Sequence, residues 1–73
     1  MSADKLVMMA NQIGKFFAAQ PHMDGVVGVA EHIQKFWDPR MRRQIVAHLA
    51  AGGAGLDPMV LAAVKVLPPV ATK

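Results

Sequence analysis

Cysteine is absent from this chain, and so is tyrosine. The first absence removes disulfides, thiolate-ligated zinc and Fe–S ligation together. Hydroxyl side chains are nearly absent as well: Ser2 and Thr72, near the two ends, are the only ones. Covalent catalysis by a serine, threonine or cysteine therefore has nothing to work with in the body of the chain. Acids are scarce, five against eight lysines and arginines, for a formal net charge of +3. That balance suits an acidic protein surface or nucleic acid without choosing between them. No apolar run approaches the roughly 18–20 residues of a spanning helix. The opening MSADKLVMMANQIGK shows neither the unbroken apolar stretch nor the small-residue cleavage site of a secretory leader. A soluble, cytoplasmic protein without a membrane partner is expected.

What is plentiful is apolar residues, 53% of only 73. A domain this small buries only about 60% of the surface its unfolded chain exposes, and without disulfides it must rely on close helix packing or on another subunit. Spare apolar surface is expected.

Periodicity and punctuation predict a single all-α domain over residues 1–73: a small bundle of four short helices at about 3–19, 23–37, 39–51 and 58–67, with 68–73 as a tail. Ser2 is a good N-cap for the first helix, with Asp4 in the first turn where the dipole favours an acid. Leu6, Met9, Ala10, Ile13, Phe16 and Phe17 recur on one stripe of that helix, and Pro21 ends it. The second helix presents Val26, Val29, Ala30, Ile33, Phe36 and Trp37, with Glu31 and Lys35 at a favourable i, i+4 spacing. Gly14 and Gly28 lie inside helices, where glycine costs about 1 kcal/mol against alanine; close helix approach explains them, a frayed start to the second helix being the simpler alternative. Asp38-Pro39 and Asp57-Pro58 open the third and fourth helices alike, the carboxylate accepting from free backbone N–H groups while proline occupies the first turn, where its missing donor is harmless. Met41, Ile45, His48 and Leu49 continue the inner face, and AAGGAG stops the third helix because glycine adopts positive φ without strain.

The fourth helix, PMVLAAVKVL, is apolar around more than one side, with Lys65 its only charge. Such a helix belongs in an interior. We expect that interior to be completed by another protein, the alternative being that the helix crosses the other three centrally.

Chemistry-bearing patterns are few. His22, His32 and His48 are 10 and 16 residues apart, so no two share a helix face in metal-ligand spacing. His48 is expected to pack with its ring nitrogen satisfied locally, and His22 and His32 to face solvent. GGAGLDP resembles a phosphate-binding loop only superficially: Asp57 would occupy the anion's place, and no Lys-Ser/Thr follows. No catalytic, cofactor-binding or metal-ligating residue is assigned, and no pocket for a substrate is expected in so short a chain.

The densest signal is KFWDPRMRRQI. Arg40, Arg42 and Arg43 crowd the start of the third helix, where each cation is disfavoured by roughly 0.3–1 kcal/mol. At about 100° per residue Arg40 and Arg43 point away from Met41 and Ile45, with Arg42 at the margin. In one reading Glu31, Asp38 or Asp57 neutralises them as ordinary surface pairs and Trp37 is a core plug. In the other they form a docking patch, since Trp and Arg are enriched at binding hot spots and the guanidinium fork recognises carboxylates and phosphates. For a protein partner, Trp37 with Val60, Leu61 and Val64 would supply apolar area and the arginines a polar rim. For nucleic acid, the second and third helices superficially mimic helix-turn-helix, but the Asp-Pro junction is short and no other basic stripe supports it. A homodimer through the fourth helix also stands as an alternative.

Beyond composition, DKLVMMANQIGKFF followed by VAEHIQKFWDPRMRRQIVAHLAAGGAGLDPMVLAAV strongly resembles the delta subunit of cytoplasmic NAD-dependent, molybdenum-containing formate dehydrogenase. MANQI, FWDPRMR and GAGLDP, in that order, carry the likeness, which spans residues 4–67. The resemblance implies a non-catalytic accessory subunit that supports assembly, molybdenum-cofactor insertion or stability. It implies larger subunits as partners, the catalytic alpha subunit foremost, which hold the molybdopterin cofactor, Fe–S clusters, FMN and the NAD site. The delta subunit is expected to bind no cofactor itself. A salt titration against generic duplex DNA or RNA separates this reading from the nucleic-acid one. No binding at low salt is expected, whereas affinity falling log-linearly with salt would favour the nucleic-acid module.

Overall fold

A computed structural model describes residues 2–22 and 24–68; among these are four helices and no strand. They are α1 (Ala3–Ala18), α2 (Gly25–Phe36), α3 (Pro39–Ala50) and α4 (Pro58–Lys65). Each start has its local cause. Ser2 caps α1 by accepting from the Lys5 N–H at 3.2 Å. Asp24, not anticipated from the sequence, caps α2 by accepting from the N–H groups of Val26 and Val27 at 3.0 and 3.3 Å. Asp38 caps α3 through the Met41 N–H at 2.9 Å, with Pro39 in the first turn. The expected helix start at Met23 and the tail from residue 69 onward lie outside the described residues.

Asp57 departs from the expected capping. Its side chain makes no cap hydrogen bond to α4, although Pro58 sits at the first turn as anticipated. Its backbone N–H instead donates to Oδ1 of Asn11 at 3.0 Å, while Asn11 Nδ2 donates to the Gly55 carbonyl at 2.9 Å. One α1 side chain thus holds the loop at two points just before α4. The loop itself needs glycine, because Gly52, Gly53 and Gly55 all have positive φ, from +67° to +124°. His48 Nε2 donates to the Ala54 carbonyl at 2.8 Å, the local satisfaction expected of it.

The helices surround one core. α2 and α3 each pack on α1 and α4 and scarcely touch each other, although only Trp37 and Asp38 separate them. Leu6, Val29, Ile33, Ile45 and Val60 are wholly buried at the centre, and Ala10, Ala63, Val64 and Trp37 close around them. α4 therefore takes the alternative placement: its Val60, Ala63 and Val64 face is enclosed by this chain's own helices, and no other protein is needed to complete it.

The small residues of α1 make this possible. Leu6, Ala10 and Gly14 follow one another at i, i+4 on the buried line, and a methyl group added at Gly14 would lie 2.5 Å from Val60 Cγ2. Gly28 serves α1 and α2 in the same way, since its own methyl would lie 2.5 Å from Cδ1 of Phe17. Both interior glycines mark close approach. Two aromatics leave the expected core: Phe16 is 60% exposed and Phe36 71%. On α1 the inward line runs through Gly14 to Phe17, turning Phe16 aside; at the end of α2 Trp37 takes the inward position and leaves Phe36 outside. Val7, absent from the predicted stripe, is buried because Gly55 of the loop approaches its Cγ1.

Gly14→Ala is expected to destabilise the fold by about 1–3 kcal/mol through overpacking, against the roughly 1 kcal/mol that alanine gains in helix propensity. Thermal denaturation followed by circular dichroism reads the sign, and a raised midpoint contradicts the close approach.

Candidate interaction surface

Two surface features concentrate chemistry that the core does not use. The first is the start of α3. Proline fixes its first turn and Asp38 Oδ1 accepts the cap bond; the three arginines that follow have no acid within α3 itself. Arg40 and Arg43 are exposed and Arg42 is half-buried. Among the described residues none of the three forms an ion pair, so the neutralisation by Glu31, Asp38 or Asp57 considered above is not made. The Nε of Arg42 is buried without a hydrogen-bond partner, which costs about 1–3 kcal/mol for an ordinary polar group and more for a charged one.

The apolar half of the expected patch lies elsewhere. Trp37 is 5% exposed, Val60 is fully buried and Val64 is 2% exposed, while Leu61 is half-buried against the core. These four are core residues and offer little or no surface in the folded chain. Their expected role as apolar docking area fails because α4 lies inside this chain and Trp37 turns inward at the α2–α3 corner. Helical periodicity alone could not tell a helix buried by its own chain from one buried by a partner.

The second feature was missed from the sequence. On the outer side of α1 and α2 the rings of Phe16, Phe17, His32 and Phe36 form a chain. Phe16 meets Phe17 edge-on with centroids 5.1 Å apart, Phe17 and His32 lie 6.4 Å apart, and His32 and Phe36 lie 4.7 Å apart, tilted at 41°. His32 is accordingly half-buried between two phenylalanines, which corrects its expected solvent-facing position; His22 is exposed as expected. Phe17, His32 and Phe36 border an open groove of about 300 Å³ that Gly28 and Val27 also line. Exposed Asp24, Glu31 and Lys35 line it too. Glu31 and Lys35, suitably spaced on α2, do not close an ion pair. The signal in the sequence was the pairing of Gly28 with an aromatic-rich α1 end, legible only once the two helices are known to be neighbours.

Metal chemistry finds no cluster here: among the described residues no three His, Asp or Glu side chains come together as a metal site. Nor is any helix long and apolar enough to cross a membrane.

Compared with known proteins, residues 5–64 match the model of a family described as NADH-dependent formate dehydrogenase delta subunit FdsD. No curated protein matches the chain. The matched span includes nearly all of the four helices, the Asn11-held loop and both surface features.

Arg42→Met is expected to leave the denaturation midpoint unchanged or raise it, because it keeps the aliphatic packing and removes the unpartnered Nε. A midpoint lowered as far as that of Arg42→Ala would show that the guanidinium makes a stabilising contact within the fold.

Proposed function

Because the chain belongs to the family of NADH-dependent formate dehydrogenase delta subunits, we propose that it is a non-catalytic accessory subunit that binds the larger subunits and supports assembly, cofactor insertion or stability of the complex. The catalytic subunit is the foremost partner. The molybdopterin cofactor, Fe–S clusters, FMN and NAD reside on the partners; a chain without cysteine supports that division as far as Fe–S clusters are concerned.

The observation that carries the binding role is the set of unneutralised arginines at the start of α3. Three cations at the positive end of a helix dipole, none of them ion-paired, are an electrostatic cost to the isolated fold. An acidic patch on a larger subunit would reverse the sign of that cost, and the guanidinium forks would fix its geometry. The arrangement also departs from helix-turn-helix, since α2 and α3 are held by α1 and α4 rather than by each other.

Arg40→Glu combined with Arg43→Glu alters two exposed side chains and is expected to leave the helical circular dichroism intact. Recovery with co-expressed larger subunits should fall by about tenfold or more, the scale seen when a complementary interfacial charge is reversed. Undiminished co-purification at physiological salt overturns the arginine-mediated contact.

A further inference from the structure

The α1–α2 groove has a direction. Asp24 lies at the N-terminal end of α2, the apolar and aromatic side chains Val27, Phe17, His32 and Phe36 lie along its length, and Lys35 lies at its C-terminal end. Arg40 follows Phe36 by four residues across the Trp37-Asp38 corner, so its Cα lies within about 14 Å of that of Phe36. Glu31, one turn before Lys35 and not paired with it, places a second acid in the middle of the groove. The strip therefore has an acid, Asp24, at one end and a cation, Lys35, at the other, with apolar side chains and Glu31 between them. An α-helix ordinarily carries the opposite order when laid antiparallel, because acids are favoured in its first turn and cations in its last.

We propose that this groove seats an amphipathic helix of a larger subunit, running antiparallel to α2, with its acidic first turn at Lys35 and Arg40 and its basic last turn at Asp24. The inference rests on the accessory-subunit reading above and adds the partner element and its polarity. The apolar stripe of such a helix meets Phe36, 71% exposed, and Val27, 48% exposed, as i, i+3, i+4 anchors do in helix-in-groove recognition. The 12 residues of α2 give the seat a length of about 18 Å, close to three turns. Gly28 holds the floor low by letting the Phe17 ring lie against the α2 backbone.

The test uses the assembled complex. A photo-cross-linking benzoylphenylalanine is introduced at Val27 or at Phe36, and the attached peptide is identified after co-purification. Both positions should attach to one helix of a larger subunit, position 36 nearer its N-terminus and position 27 nearer its C-terminus. Attachment in the reverse order, to a non-helical segment, to a second copy of this chain, or from neither position overturns the proposal. Phe36→Asp, at an exposed site, should lower recovery with the larger subunits by about tenfold while leaving the circular dichroism unchanged, and undiminished recovery overturns the proposal. Failure of the unaltered chain to co-purify removes the accessory-subunit reading and this one with it; co-purification with discordant cross-links removes this one alone.

Discussion

The close contact between α1 and α4 is the constraint on which the rest of this molecule depends. α4 has eight residues, too few to hold a helix in water by itself, so it exists because it is packed. Its packing requires the backbone of α1 to come within reach of Val60, which the missing side chain at Gly14 permits. Asn11, one turn earlier on α1, binds the approach loop at Gly55 and at Asp57 and so fixes where α4 begins. Once α4 lies there, α2 and α3 have only its two flanks and those of α1 to pack on. Their outer faces are left to solvent, and both surface features lie on them.

This placement redistributes the apolar excess that the composition announces. A helix as apolar as α4 is expected in an interior completed by another protein, yet its buried face is the centre of this chain's own core. The displaced residues are Phe16 and Phe36, pushed out because Gly14, Phe17 and Trp37 already fill the inward positions of their helices. Scattered exposed residues such as Met8 and Val66 need no explanation on a small protein. Rings in mutual contact along a groove are a different matter, because a contiguous apolar patch keeps a persistent cost in water.

How far the sequence could be read follows from the range of the interactions concerned. Capping is local, so Ser2, Asp38 and the proline starts were legible, as were four helices and the inner faces of Leu6, Ala10, Ile33 and Ile45. The meaning of Gly14 and Gly28 was legible in kind, since a glycine inside a helix calls for a neighbour, though not which neighbour. The Asn11 tether joins residues 44 and 46 positions apart, and no local rule reports it. That tether also holds the start of α4, where the Asp57 side chain, unlike that of Asp38, makes no cap bond. Trp37, Val60 and Val64 read as apolar area for a partner, but they lie in this chain's own core, and whose interior an apolar residue fills is a tertiary fact.

The arginines and the groove meet at the α2–α3 corner, and their conjunction is physically economical. Trp37 turns inward there and anchors the corner to the core, so Phe36 on one side and Arg40 on the other project from a rigid base. A binding surface gains from such rigidity, because side chains already fixed in place lose less entropy when a partner arrives. The extended conformation of Asp38 before proline, with its carboxylate on the Met41 N–H, removes further freedom from the corner. In this chain Asp38 gives Oδ1 to the Met41 N–H, and none of the three arginines is ion-paired to it.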